Sequence, residues 1–320
     1  MCALEFELVV GFVGSHHTDV YWRRRVSVSH ALASIRAGHP VGAFLSTPFL
    51  RTLVTARDWH ADREAVFDRD ARTCRHCGTA DDTEALRAYP VGDVALEGEV
   101  HESALVTVCA DCFGTLSDSP SAMPTGAEEL FHHVRETTRI QGETISTVAS
   151  FASVATALPG DLESALDDEG EDAALEESIA QYRRHRRDVL LAIAVVDARL
   201  ERLAALDYDA DEPAAADALE AFSETATDLQ SALREVVTLS ETVATGLDRC
   251  HGCFDALESG PTCDTCGLAV RETADWEDDD GTLAFDRLFA TINDRLQEAS
   301  ATTETLTDRT TTLAERLTAA

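Results

Sequence analysis

Eight of the nine cysteines fall into four Cys-x-x-Cys pairs: Cys74 with Cys77, Cys109 with Cys112, Cys250 with Cys253, and Cys263 with Cys266. Two such pairs brought together present four thiolates. A Zn²⁺ ion binds four thiolates tetrahedrally, and a site filled in this way leaves no open position for water or substrate. The chemistry these spacings point to is therefore structural metal binding by two zinc ions. In the C-terminal half nine residues separate Cys253 from Cys263, with Gly260-Pro261 turning the chain between them, and in the N-terminal half 31 residues separate Cys77 from Cys109. Pairing within each half closes shorter loops than exchange between halves, at a smaller cost in chain entropy. A redox-active Cys-x-x-Cys would call for a βαβ pattern nearby, and none is visible. Cys2 is unpaired and is not counted among the ligands.

The first centre needs a scaffold that brings two distant pairs together. From Asp58 to about Pro120 the pattern is a short helix, the first Cys-x-x-Cys knuckle, strand-like runs at Leu86 to Val91 and Leu105 to Val108, and the second knuckle, so residues 58–116 read as a small zinc domain. Residues 117–126, with Pro120 and Pro124, read as a linker. A helix from about Ala127 is expected to stop at Pro159-Gly160, because proline lacks the amide that a helix interior uses. After an acidic loop a second helix reaches about Leu206, completing a helical hairpin over 127–206. Its apolar seam is Ile179, Tyr182, Val189, Ile193, Val196, Leu200 and Leu203, with Arg186 at the one polar position.

The second centre sits between two matching helices. Ala215, Leu219, Phe222, Ala226, Leu229, Leu233, Val236, Val243 and Leu247 recur at steps of four and three, with Ser240 in the gap. The same steps recur in Phe285, Phe289, Ile292, Leu296, Ala299, Leu306, Leu313 and Leu317, with Thr303 and Thr310 at the polar positions. Residues 213–320 thus read as an antiparallel coiled-coil hairpin whose tip, at 250–266, is a zinc-ribbon-like clamp. The fold expected is mainly α with small zinc modules.

Composition narrows the setting. The formal charge is -33, and all 26 basic residues are arginine. An acidic, lysine-free chain suits the cytoplasm of a salt-adapted organism, where molar salt cuts the Debye length to about 3 Å and screens carboxylate repulsion. Paired cysteines of metal-binding spacing also suit a reducing compartment. The apolar stretch from Leu8 to Val13 is too short to span a bilayer, so no membrane role is expected. Residues 1–57 carry six arginines and three acids, a net of +3 that leaves -36 for the remainder. That contrast is expected either of a genuine basic arm or of a start assigned too early, with Val54 as an alternative start.

The run WHADREAVFDRDARTCRHCG from Trp59 to Gly78, followed by LVTVCADC from Leu105 to Cys112, resembles the HNH endonuclease family in its four-cysteine form. The likeness covers residues 59–113 only. It implies a ββα, treble-clef-like zinc domain. Such nucleases use a histidine as general base on water and hold a divalent metal at the scissile phosphate. The family places a His-His or Asp-His pair on the strand after the first knuckle, an Asn before the leucine preceding the second, and a His after the last cysteine. Here those positions are Tyr89 and Pro90, Ala104, and Phe113. Proline accepts no proton and phenylalanine binds no hard metal, so the resemblance implies a scaffold without its active site. Asp93, His101, Asp111 and His76 are the nearby groups that a relocated site would have to use.

Arg183, Arg184, Arg186 and Arg187 form a basic turn in an otherwise acidic helix. Guanidinium forks suit phosphates and carboxylates equally, so the turn either binds an anion or pairs with acidic neighbours. The function expected is a non-catalytic scaffold for a protein or nucleic-acid partner, with self-association through the helices also open. An active HNH endonuclease and a purely structural coiled-coil protein are the competing readings.

Overall fold

The computed structural model describes residues 59–80, 85–94, 100–118, 120, 123–167, 172–208, 213–279 and 281–319. The expectation for residues 1–57 lies outside them. The elements run α1 (Trp59–Arg69), β1 (Leu86–Pro90), β2 (Leu105–Cys109), α2 (Ala110–Ser117), β3 (Met123–Pro124), α3 (Ala127–Asp167), α4 (Asp172–Ala205), β4 (Leu206–Asp207), α5 (Pro213–Gly246) and α6 (Phe285–Ala319). The protein is mainly helical, as expected.

The four long helices pack as one bundle rather than as two separate hairpins. Cross-helix contacts set their directions. Phe151 of α3 meets Tyr182 of α4, and Glu136 faces Arg199. Arg186 and Asp197 of α4 face Glu241 and Arg234 of α5, while Glu235 of α5 faces Arg295 of α6 and Gly246 of α5 lies against Leu283, just before α6. In each pair one number rises as the other falls, so successive helices are antiparallel. Thr138 of α3 and Thr310 of α6 share a 2.9 Å hydrogen bond that closes the ring of four. The seams explain the packing, since Phe222, Leu229, Leu233, Val236, Leu288, Ile292, Leu306 and Leu313 are fully enclosed. Each such side chain contributes about 1.5–3 kcal/mol by leaving water. Leu219, Phe289 and Leu296 of the expected seams are only half-buried, as are Ile179 and Leu200 of α4.

Helix α3 overturns one expectation, because it runs through Pro159 to Asp167. Leu158 is fully enclosed and Pro159 is itself buried, so apolar packing holds the helix direction across the missing amide. The segment read as a linker also contributes structure: Met123–Pro124 pairs in parallel with Leu206–Asp207, tying the start of α3 to the end of α4.

The N-terminal module is a two-stranded antiparallel sheet, Leu86 opposite Cys109 through Pro90 opposite Leu105, flanked by α1 and α2. One apolar cluster joins it to the bundle. Tyr89, Val91, Val106 and Val108 pack with Ile140 of α3 and Leu191, Val195 and Val196 of α4. Helix α4 is therefore buried on two sides, which the run LLAIAVV from Leu190 to Val196 makes possible.

Candidate metal centres

Three of the four knuckles are built alike. Each begins at a cysteine whose amide donates to the carbonyl five residues on: Cys74 N to Thr79 O, Cys250 N to Asp255 O, and Cys263 N to Leu268 O, at 2.8–2.9 Å. The amide of the residue after the second cysteine returns to the first cysteine's carbonyl, from Gly78, Phe254 and Gly267. This closure needs a left-handed backbone at that residue, with φ of +72° at Gly78, +64° at Phe254 and +74° at Gly267. Glycine adopts it freely, whereas Phe254 bears a cost of about 1–2 kcal/mol. The fourth knuckle is different. Cys109 ends β2 and stands at the N-cap of α2, and Cys112 lies in the helix's first turn.

These knuckles bring all eight predicted ligands into two groups, Cys74, Cys77, Cys109 and Cys112, and Cys250, Cys253, Cys263 and Cys266, with the sulfurs in each group within 4.8 Å of one another. Sγ of Cys77 is 3.8 Å from Cys109, Cys250 is 3.4 Å from Cys266, and Cys253 is 3.5 Å from Cys263. Four sulfurs on a tetrahedron at a metal–sulfur distance of about 2.3 Å stand about 3.8 Å apart, while a disulfide would bring two of them to about 2.05 Å. The spacing fits a four-coordinate metal and not a bridge. Among the described residues these are the only groups that could hold an ion.

The thiols are tuned by their surroundings. Thr79 Oγ1 lies 3.2 Å from Cys77 Sγ, and that hydrogen bond lowers the thiol to about 6 despite partial burial. Burial pushes Cys74 and Cys112 up. In the second group hydrogen bonds from Cys253 and Cys266 hold Cys250 low, and hydrogen bonding with Cys250 and Cys266 pushes Cys253 up. Protons are shared unequally among four crowded sulfurs, and a divalent cation that replaces them removes the conflict.

The positions matched to nuclease catalysis are structural here. Tyr89 is 8% exposed and stacks edge-on against Phe113 at 6.1 Å, both within the cluster that seats the module on α4. Pro90 is buried at the strand end opposite Leu105, and Ala104 is 1% exposed, its carbonyl accepting the Val91 amide at 2.8 Å. The nearby polar groups have separate surroundings. His101 Nδ1 caps the short 3₁₀ turn through Ser103 at 2.9 Å and 3.1 Å, and Asp93 meets Arg271 at 3.6 Å. Asp111 is exposed in the first turn of α2, and burial and Arg199 lower the imidazole of His76.

The basic turn of α4 faces inward for the most part. Arg183 donates to the carbonyl of Cys253 and lies 3.7 Å from Asp255. Arg186, 3% exposed, donates to Glu241 at 2.7 Å, and the other oxygen of Glu241 accepts from Arg271 at 2.5 Å. Arg184 is exposed, 3.8 Å from Asp188. Burial, with Arg69 close by, lowers Arg187 to about 10. The carboxylate pairing weighed from sequence is what Arg186 shows. Tyr182, Asp188, Glu241 and Arg271 were not singled out as site residues. Arg186 in an apolar seam was the signal for a buried acid opposite it, but its identity depends on which helix lies there.

Comparison of the chain with protein-family profiles, with curated proteins and with solved structures finds no significant match. No described helix is long and apolar enough to cross a membrane.

Proposed function

We propose that this chain is a non-catalytic scaffold protein held by two structural zinc ions, one in an HNH-like treble-clef module and one at the tip of an antiparallel coiled-coil hairpin. The observation that carries the reading is the fate of the face bearing Tyr89 and Phe113. In an HNH nuclease that face would hold the base and the metal, whereas here it is apolar and packed on α4. Zinc is the ion of choice because a closed tetrathiolate set suits its lack of geometric preference and leaves nothing for redox or hydrolysis to use. Its affinity becomes folding energy, since neither knuckle pair is preformed in the unfolded chain.

A protein partner is favoured over nucleic acid. Arg69 donates to the carbonyls of Glu102 and Leu105, Arg72 to Glu64 and Asp68, and Arg75 to Asp188, so these arginines of the module are engaged within the chain. The net charge of -33 adds no attraction for phosphate.

The test is metal analysis combined with a cleavage assay. Protein purified in molar KCl should hold two zinc ions per chain, and plasmid incubated with it and Mg²⁺ or Mn²⁺ should stay intact. Cleavage that is absent from a mock purification and abolished by Cys74→Ser would overturn the reading.

A further inference from the structure

Both candidate centres are fastened to the same turn and a half of one helix. At one end of that stretch, the Tyr182 hydroxyl donates to the carbonyl of His251 at 3.1 Å, and Arg183 donates to the carbonyl of Cys253. Both acceptors lie inside the Cys250–Cys253 knuckle. The Tyr182 ring, fully enclosed, also stands 5.4 Å from that of Phe254, the left-handed residue that closes the knuckle. At the other end, both carboxylate oxygens of Asp188 accept from Nη2 of Arg75, at 2.5 and 2.6 Å, and Oδ1 also accepts from its Nε at 3.2 Å. Arg75 sits between Cys74 and Cys77, and its amide donates to Thr107 O of β2 at 2.8 Å. Asp188 follows Tyr182 by six positions of α-helix, a rise of about 9 Å.

A second path runs beside the first. Arg186, between the anchors, is paired with the enclosed Glu241, Glu241 with Arg271, and Arg271 with Asp93 of the N-terminal module. Arg271 follows Cys266 by five residues. Thus the stretch Tyr182–Asp188 joins a knuckle of one centre to a knuckle of the other, Arg271 with Asp93 joins the two modules directly, and Arg186 with Glu241 ties these two connections together.

Resting on the two-ion reading above, the geometry points to positive coupling between the centres: metal bound at one tightens binding at the other, through Arg183, Arg186 and Asp188. The physical reason is that these contacts have little tolerance. A bidentate guanidinium–carboxylate pair and a buried arginine both need fixed partners. A knuckle without its ion no longer fixes the carbonyls of His251 and Cys253 or the position of Arg75, so the shared helix turn loses partners and the opposite knuckle loses its brace. Linkage makes the effect reciprocal, with an expected factor on the order of ten in affinity.

Native mass spectrometry of the full chain in concentrated ammonium acetate, with one equivalent of zinc added to the metal-free protein, reads this directly. Independent sites leave about half or more of the chains singly loaded whatever their separate affinities, while tenfold coupling between sites of equal affinity lowers that share to about a quarter, and at any affinity ratio coupling lowers the share below its uncoupled value. Asp188→Asn should raise the share above the wild-type value while still taking two ions in excess zinc, and Arg295→Gln, which breaks an exposed pair between α5 and α6, should leave it unchanged. If Asp188→Asn takes fewer than two ions in excess zinc, Arg183→Met, acting at the other knuckle, is read in its place with the same expectation. A variant share that stays at the wild-type value overturns the coupling while leaving the two-zinc reading intact. Failure to take two ions at any zinc concentration overturns both.

Discussion

Replacing Glu241 by alanine should be among the most damaging single changes in the bundle. Its side chain is 0% exposed and neutralises Arg186, which is 3% exposed, and Arg271, which is 29% exposed. On losing the carboxylate, Arg271 can turn toward water. Arg186 cannot, and its Nη1 already lacks a partner. Removing one member of a buried pair costs about 3–5 kcal/mol, because the remaining charge is left uncompensated. Equilibrium unfolding in urea, followed by far-ultraviolet circular dichroism in molar KCl with zinc in excess, should show that loss. High salt should not erase it, since an enclosed pair is screened far less than an exposed one. Arg186→Met combined with Glu241→Leu should recover much of the stability. A loss below about 1 kcal/mol for Glu241→Ala, or a double variant no better than the single, would refute the reasoning. The pH dependence has a definite sign. Burial alone would raise the Glu241 carboxyl, but Arg186, His251 and Arg271 outweigh it and hold it below its ordinary value. A depressed carboxylate contributes its full stability above the unfolded value of about 4.3 and loses it as the pH falls through the lower folded value. The gap between wild type and Glu241→Ala should therefore be constant near neutrality and close below about pH 4.

Other outcomes follow from the same geometry. Cys253→Ser should reduce the zinc content from two ions toward one and increase proteolysis between α5 and α6, because a site missing a thiolate opens to water. Phe254→Gly relieves about 1–2 kcal/mol of left-handed strain but forfeits an enclosed ring, a loss of about 3–5 kcal/mol. Thermal unfolding should show net destabilisation, and a raised midpoint would count against the packing of Phe254 on Tyr182. Tyr89→Ala should also destabilise, lowering the thermal unfolding midpoint, because its ring seats the module on α4.

Much of the architecture was legible in the sequence because it depends on local rules. Cys-x-x-Cys spacing is enough to shape a knuckle, so all eight thiols were identified and grouped correctly from chain position alone. The seams of α5 and α6 were readable because a helix repeats every 3.6 residues whatever it packs against. Alternating runs likewise marked β1 and β2. Where a local rule met strong packing, packing won, as at Pro159, which sits inside α3 because Leu158 and its surroundings bury it there. The half-buried state of Phe289 and the full burial of Leu288 show the same limit, since periodicity marks a stripe but neighbours decide its centre.

Long-range placement was beyond the sequence. Nothing in residues 59–118 says which helix they rest on, and nothing in the α4 seam says that its other side, Leu191 and Val195, meets a cysteine module. The basic turn could be read equally as an anion site or as internal pairing, because a guanidinium accepts either partner. Only the fold, by setting Glu241 against Arg186, Asp188 against Arg75 and the Cys253 carbonyl against Arg183, decided how those charges are used. The sequence determined which cysteines form the two candidate metal groups and which stripes form cores, since both are properties of neighbours along the chain. How the two centres are joined was decided by the tertiary structure, since the partners lie 55–113 residues apart and no local interaction can specify them.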